Sequence, residues 1–162
     1  MELTNLSTIK ALMSKHNMSF SKSLGQNFLT NPSVSPRIAE YGGAGAGVGV
    51  IEIGPGIGVL TKELALRADK VVAIEIDKGL IPVLRETMAE FSNVKIINSD
   101  VMELDLNQLI AEEFPSGDVV VCAKLPYYIT SPIIMKLLED RMPIKSITAM
   151  IQKEAAERIS AP

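Results

Sequence analysis

Apolar and polar positions along this chain fall into two alternating rhythms. Five short runs, 50–53, 71–77, 94–98, 118–123 and 146–151, are apolar almost throughout and rich in Val and Ile. Such runs predict strands buried on both faces, as in a parallel sheet. Between and around them apolar residues recur at helical spacing: Leu60, Leu64 and Ala68 in 59–68, then the stretches 80–91 and 132–140, the last opened by Thr130-Ser131-Pro132. Ahead of the first strand, Thr4 is placed to cap a helix with Leu6, Ile9, Leu12 and Met13 on one face, and Asn31-Pro32 to start another that runs to Tyr41. The glycine-rich stretch 42–49 reads as a flexible connector, because no strand precedes it. A last helix is expected over 152–159. Strands alternating with helices predict an α/β fold with a parallel sheet, and such sheets bind ligands at the carboxyl ends of their strands.

The first strand empties into Gly54-Pro55-Gly56-Ile57-Gly58 and then the helix at Val59. Glycines there let a ligand approach the backbone, beside N–H groups left open at the start of a helix. The spacing argues against a pyrophosphate clamp, because G-x-G-x-x-G would put its third glycine at Val59 and here it falls at Gly58. No Gly-Lys-Ser/Thr follows, so a P-loop is excluded as well. The same turn also serves as an ordinary strand–helix connection and does not decide the ligand alone.

Two acids sharpen the reading. Glu75, near the end of the second run, can accept both ribose hydroxyls of an adenosine. Asp100, just past the third run, can accept from the exocyclic amine of the same adenine. Strand ends often carry solvated carboxylates for no such reason. It is the order of turn, first acid and second acid that points to one adenosine-shaped ligand.

The fourth run leads into Lys124-Leu125-Pro126-Tyr127. With Leu24-Gly25-Gln26-Asn27-Phe28-Leu29, Glu52-Ile53-Gly54-Pro55-Gly56-Ile57-Gly58 and Glu75-Ile76-Asp77, this segment resembles the ribosomal RNA adenine dimethyltransferases, most closely the branch that dimethylates two adjacent adenines near the 3′ end of 16S rRNA. The resemblance runs from about residue 20 to the chain end. It implies S-adenosylmethionine as cofactor and a Rossmann-like sheet of order 3-2-1-4-5-7-6. On this pattern Asn27 and Leu29 close over the cofactor, Gly54 and Gly56 line it, Glu75 holds its ribose and Asp100 meets its adenine. Leu125, Pro126 and Tyr127 fall where the family holds the target base, with a backbone carbonyl accepting from the amine and the Tyr stacking. Residues 1–41 then form an N-terminal helical segment with a cofactor-closing loop, and 42–162 the methyltransferase core.

Two departures stand out. The family motif is Asn-Leu-Pro-Tyr, and position 124 is Lys. An ammonium has donors and no acceptor, so it cannot take the target amine's hydrogen bond, and it adds charge beside a cationic sulfonium. Lys124 is therefore expected to impair transfer, unless its long stem carries the charge out to solvent or to RNA phosphate. Members of the family also continue through a strand hairpin and a helical domain, so a chain of 162 residues is expected to be an incomplete core. Its fifth strand would be an open edge that favours a dimer.

Composition adds exclusions. The formal charge is −3 and the mean hydropathy +0.24. No apolar run is long enough to span a bilayer and no signal peptide is apparent, so a cytoplasmic protein without membrane contact is expected. One cysteine, Cys122, excludes an internal disulfide framework, and one histidine, His16, without a Cys/His cluster, gives no metal site. Net acidity is no mark of an RNA binder, although residues 1–40 carry an excess of basic side chains (Lys10, Lys15, Lys22, Arg37). The expected partner is 16S rRNA in the small ribosomal subunit. The alternatives are a 23S rRNA adenine methyltransferase of the macrolide-resistance type, and a non-catalytic ribosome-assembly protein, which Lys124 would suit.

Overall fold

The computed structural model describes residues 2–18, 32–124, 127–139 and 143–150, with 124, 127–131, 139 and 150 in backbone only. The elements run α1 (Leu6–Lys15), α2 (Val34–Tyr41), β1 (Val48–Ile53), α3 (Val59–Arg67), β2 (Lys70–Glu75), α4 (Leu80–Thr87), β3 (Val94–Asn98), a 3-10 turn (Val101–Glu103), α5 (Leu106–Glu113), β4 (Asp118–Lys124), α6 (Tyr127–Glu139) and β5 (Ser146–Met150). The five strands are parallel in the order β3-β2-β1-β4-β5. That agrees with the first five places of the expected order.

Both faces of the sheet are covered, which is why its strands read as unbroken apolar runs. Val50, Val71, Ala73, Val120 and Cys122 point to one face, under α1, α2, α3 and α4. Ile51, Ile53, Val72, Ile74, Val119, Val121 and Ala123 point to the other, under α5 and α6. Cys122 is fully buried, and burial, with the nearby Glu52 charge, pushes its thiol up to about 12. It is an inert core residue.

Several expected boundaries move, each for a local reason. Asn5, not Thr4, caps α1, its Oδ1 accepting from Thr8 N at 3.2 Å, while Thr4 donates its hydroxyl to Glu2. Pro32 lies in the turn ahead of α2, whose N-cap is Ser33; Asn31 is outside the described residues. The stretch 42–49 is not all connector: Gly42 closes α2, while Val48 and Gly49 belong to β1. Gly49 is there because a Cβ would lie 2.2 Å from the Phe114 ring. β2 stops at Glu75, two residues earlier than expected, because the Glu75 carboxylate captures Asp77 N and turns the chain. α4 ends at Thr87 rather than near Phe91; the Thr87 hydroxyl donates to the carbonyls of Leu84 and Ile57, and Met88 closes the last turn.

Beyond β3 the pattern reading offered no helix, yet α5 is there, capped by Asp105 and burying Leu106 and Ile110. α6 begins at Tyr127, so Pro132 lies inside it and costs one backbone bond, the one Tyr128 O would accept. The expected continuation of β5 to Ile151 and the helix over 152–159 fall outside the described residues.

Candidate functional site

At the carboxyl ends of β1, β2 and β3 lies a small open cleft lined by Ile53, Gly54, Ile74, Ile76, Ser99, Asp100, Val101 and Ile133. Gly54, the first residue of the glycine turn, is part of its lining. Gly54, Gly56 and Gly58 all have positive φ (76°, 61° and 98°), a conformation costly for any residue with a Cβ. The three serve different ends. A Cβ on Gly58 would lie 2.9 Å from Thr87 Oγ1 and Met88 Cε, so this glycine lets the turn pack on α4. A Cβ on Gly56 would meet nothing within 4 Å. The backbone at 56 is thus bare toward open space, as a cradle for a ligand requires.

Glu75 is 5 % exposed and holds the turn. Its Oε1 accepts from Gly56 N at 3.0 Å and its Oε2 from Asp77 N at 2.9 Å. Burial pushes its carboxyl above the usual glutamate range, against those backbone donors, which pull it down. Each carboxylate oxygen has a second lone pair, so Glu75 can still accept from a ligand diol while clamping the loop. Asp100 caps the 3-10 turn, Oδ1 accepting from Met102 N at 2.9 Å. Its Oδ2 is the atom left for a ligand amine. β2 and the segment after β3 are tied together as Ser99 N and Asn98 Nδ2 both donate to Glu75 O, at 3.1 and 2.9 Å.

The structure therefore brings Gly54, Gly56, Glu75 and Asp100 to one place. Lys124 ends β4, and because Ala123 pairs with Ile53, its backbone is level with Gly54 at the same end of the sheet. Tyr127 begins α6. Asn27, Leu29, Leu125 and Pro126 lie outside the described residues. Two residues that the sequence reading quoted only as motif members, without a role, also belong to this end of the sheet. Glu52, 0 % exposed inside β1, receives the Thr61 hydroxyl and so fastens β1 to α3 beneath the turn; a charge within an apolar run was its signal. Ile76, 60 % exposed although apolar, stands on the cleft rim directly after Glu75.

A bare glycine cradle, a buried diol acceptor and an amine acceptor, with apolar walls from Ile53, Val101 and Ile133, fit the adenosine half of S-adenosylmethionine. Among the described residues no group of His, Cys, Asp and Glu could hold a metal ion, and no helix is long and apolar enough to cross a membrane.

Comparison with known proteins bears on the fold and the family. The 23S rRNA methyltransferase ErmE superposes with a TM-score of 0.68 at 34 % identity, over 81 % of this chain and 50 % of that one. A dimethyladenosine transferase from Plasmodium falciparum gives 0.67 at 33 % identity, over 82 % and 46 %. The fold is the Rossmann-like one of the S-adenosylmethionine-dependent methyltransferases. Within that class the chain belongs to the ribosomal RNA adenine dimethylase family, whose model matches residues 17–162. Proteins named ribosomal RNA small subunit methyltransferase A are 53 % identical in Alkaliphilus oremlandii, over 94 % of this chain and 53 % of theirs, and 55 % identical in Shouchella clausii, over 93 % and 51 %. The chain spans about half the length of the curated relatives it matches.

Proposed function

We propose that this protein transfers methyl groups from S-adenosylmethionine to the N6 amines of two adjacent adenines in 16S rRNA of the small ribosomal subunit, in the cytoplasm. The observation that carries the reading is a family member whose Gly54 and Asp100 line one cleft, at the same strand ends where Glu75 accepts from Gly56 N. The small-subunit target is favoured over 23S rRNA because relatives named for the small subunit are 53–55 % identical, against 34 % for the 23S enzyme.

On this reading Glu75 accepts from the ribose hydroxyls and Asp100 from the adenine amine, between the walls made by Ile53, Val101 and Ile133. Gly54 lines the methionine end, and Asn27 and Leu29 close over the site. The cofactor supplies an electrophilic methyl group on a sulfonium. A backbone carbonyl beside Pro126 would orient the target amine and Tyr127 would stack on the target base; the N–C bond forms as the methyl's C–S bond breaks, the sulfonium leaves as a neutral thioether, and the amine's proton passes to solvent. No general base is needed, since positioning for in-line attack supplies most of the catalysis. Lys124 offers no acceptor there and slows transfer. Its presence is also the one feature that favours a second reading, a binder of rRNA that keeps the fold without transfer.

The test is incubation of unmethylated small subunits with labelled S-adenosylmethionine, and mapping of the modified bases by mass spectrometry. Dimethyladenine at two neighbouring 16S positions is expected. Methylation of 23S rRNA instead, or none from a Lys124→Asn variant that binds the cofactor, overturns the reading. We further propose that two copies pair along β5, which among the described residues bonds only to β4. Sedimentation should find a dimer, and a freely soluble monomer counts against it.

A further inference from the structure

The 3-10 turn that follows Asp100 is held at both ends. Asp100 caps its start, and at its far end Lys136 Nζ, reaching across from α6, donates to the carbonyls of Met102 and Leu104, at 2.9 Å each. A single 3-10 turn leaves its last carbonyls without helical partners, and a cation is the favoured group at that end. One turn before Lys136 on the same face of α6, Ile133 is buried against the cluster that contains Val101, and both side chains line the cleft. α6 thus touches the cofactor cleft with Ile133 and clamps the Asp100 turn with Lys136. It is also the helix whose first residue, Tyr127, follows Leu125-Pro126.

We infer that Lys136 is a positioning residue: through its two carbonyl bonds it fixes Asp100 for the cofactor adenine and locks that turn to the helix carrying the target-base motif. This rests on the cofactor reading above. It assigns Lys136 no contact with either substrate. Loss of the ammonium frees the end of the turn, so that Asp100 keeps its own cap and loses its fixed place relative to Ile133 and the cleft.

The experiment is calorimetric titration of the purified chain with S-adenosylhomocysteine, together with thermal unfolding without ligand. Lys136→Met, which keeps the stem, should weaken binding about tenfold, as expected for two charge-assisted bonds removed from a partly exposed site. Lys136→Arg, which can reach both carbonyls, should restore affinity to within about threefold of the parent. Lys136→Gln, with one neutral donor group, should fall between the two. Asp100→Asn keeps the turn's cap and removes the amine acceptor. If Lys136 acts through Asp100, Lys136→Met on that background should add no further loss, because the two changes share one pathway.

Full affinity in a folded Lys136→Met variant, with only its unfolding temperature lowered, overturns the inference and leaves the cofactor reading standing. Losses that multiply in the double variant overturn it as well. Failure of the parent chain to bind S-adenosylhomocysteine overturns the cofactor reading, and the inference falls with it. Should Lys136→Met not fold, the same outcomes are read from Lys136→Gln.

Discussion

On the proposed reading Glu75 does two jobs with one carboxylate, clamping the glycine turn and accepting from a ribose, and they respond to pH in opposite senses. Burial raises its pKa above the ordinary 4.5, so the folded state holds that proton more tightly than the unfolded chain does. Its contribution to stability is therefore fully present below the ordinary value and is lost as pH rises through the raised one. A ribose diol needs the ionised form. Affinity for S-adenosylhomocysteine should accordingly fall as pH is lowered through the raised pKa, and Glu75→Gln should bind weakly with no such dependence in calorimetry. At Lys124 the expectation concerns rate. Lys124→Asn should raise methyl transfer to small subunits at least about tenfold, a gain of roughly 1.4 kcal/mol in the transition state, with little change in cofactor affinity. Labelled-methyl incorporation checks it; equal rates would mean that the side chain points away from the base. Glu75 and Asp100 were legible in the sequence because each is polar at the end of an apolar run. Glu52 was not singled out, since its role depends on Thr61 crossing from α3, a contact no strand pattern encodes.

Among the elements, the turn between β1 and α3 separates folding from function most cleanly. Gly58→Ala meets Thr87, Met88 and Leu84 as well as an unfavourable φ, and should cost about 2–4 kcal/mol of stability. Gly56→Ala faces open space and should cost about 1 kcal/mol from its φ alone, while it places a methyl group where the ligand approaches. Thermal unfolding and calorimetry on the pair should show a large loss of stability for the first, and for the second a small one with cofactor affinity greatly reduced. The strands were readable from the sequence, since burial on both faces leaves few polar interruptions. Helix limits were less so. α5 had its signals in Asp105 and the spacing of Leu106, Leu109 and Ile110, but the short turn after Asp100 masked them. At α6 the local signal in Ser131-Pro132 marked a start that lies five residues inside the helix.

At the scale of the molecule, the order β3-β2-β1-β4-β5 puts β1 at the centre, so that the turn after it and the acids after β2 and β3 share one end of the sheet. The sequence showed the strands and acids in series, and the family resemblance supplied the order; the pairing of Ile53 with both Ile74 and Ala123 makes them neighbours in space. Cofactor recognition is the central claim, because the assignments to rRNA, to Lys124 and to Lys136 all depend on it. The most direct test is calorimetry of the purified chain with S-adenosylhomocysteine and, in parallel, with nicotinamide adenine dinucleotide. The account predicts one-to-one binding of S-adenosylhomocysteine, weakened by about 1–3 kcal/mol in Glu75→Ala, and much weaker binding of the dinucleotide. Tighter binding of the dinucleotide, or undiminished affinity in Glu75→Ala, would contradict it.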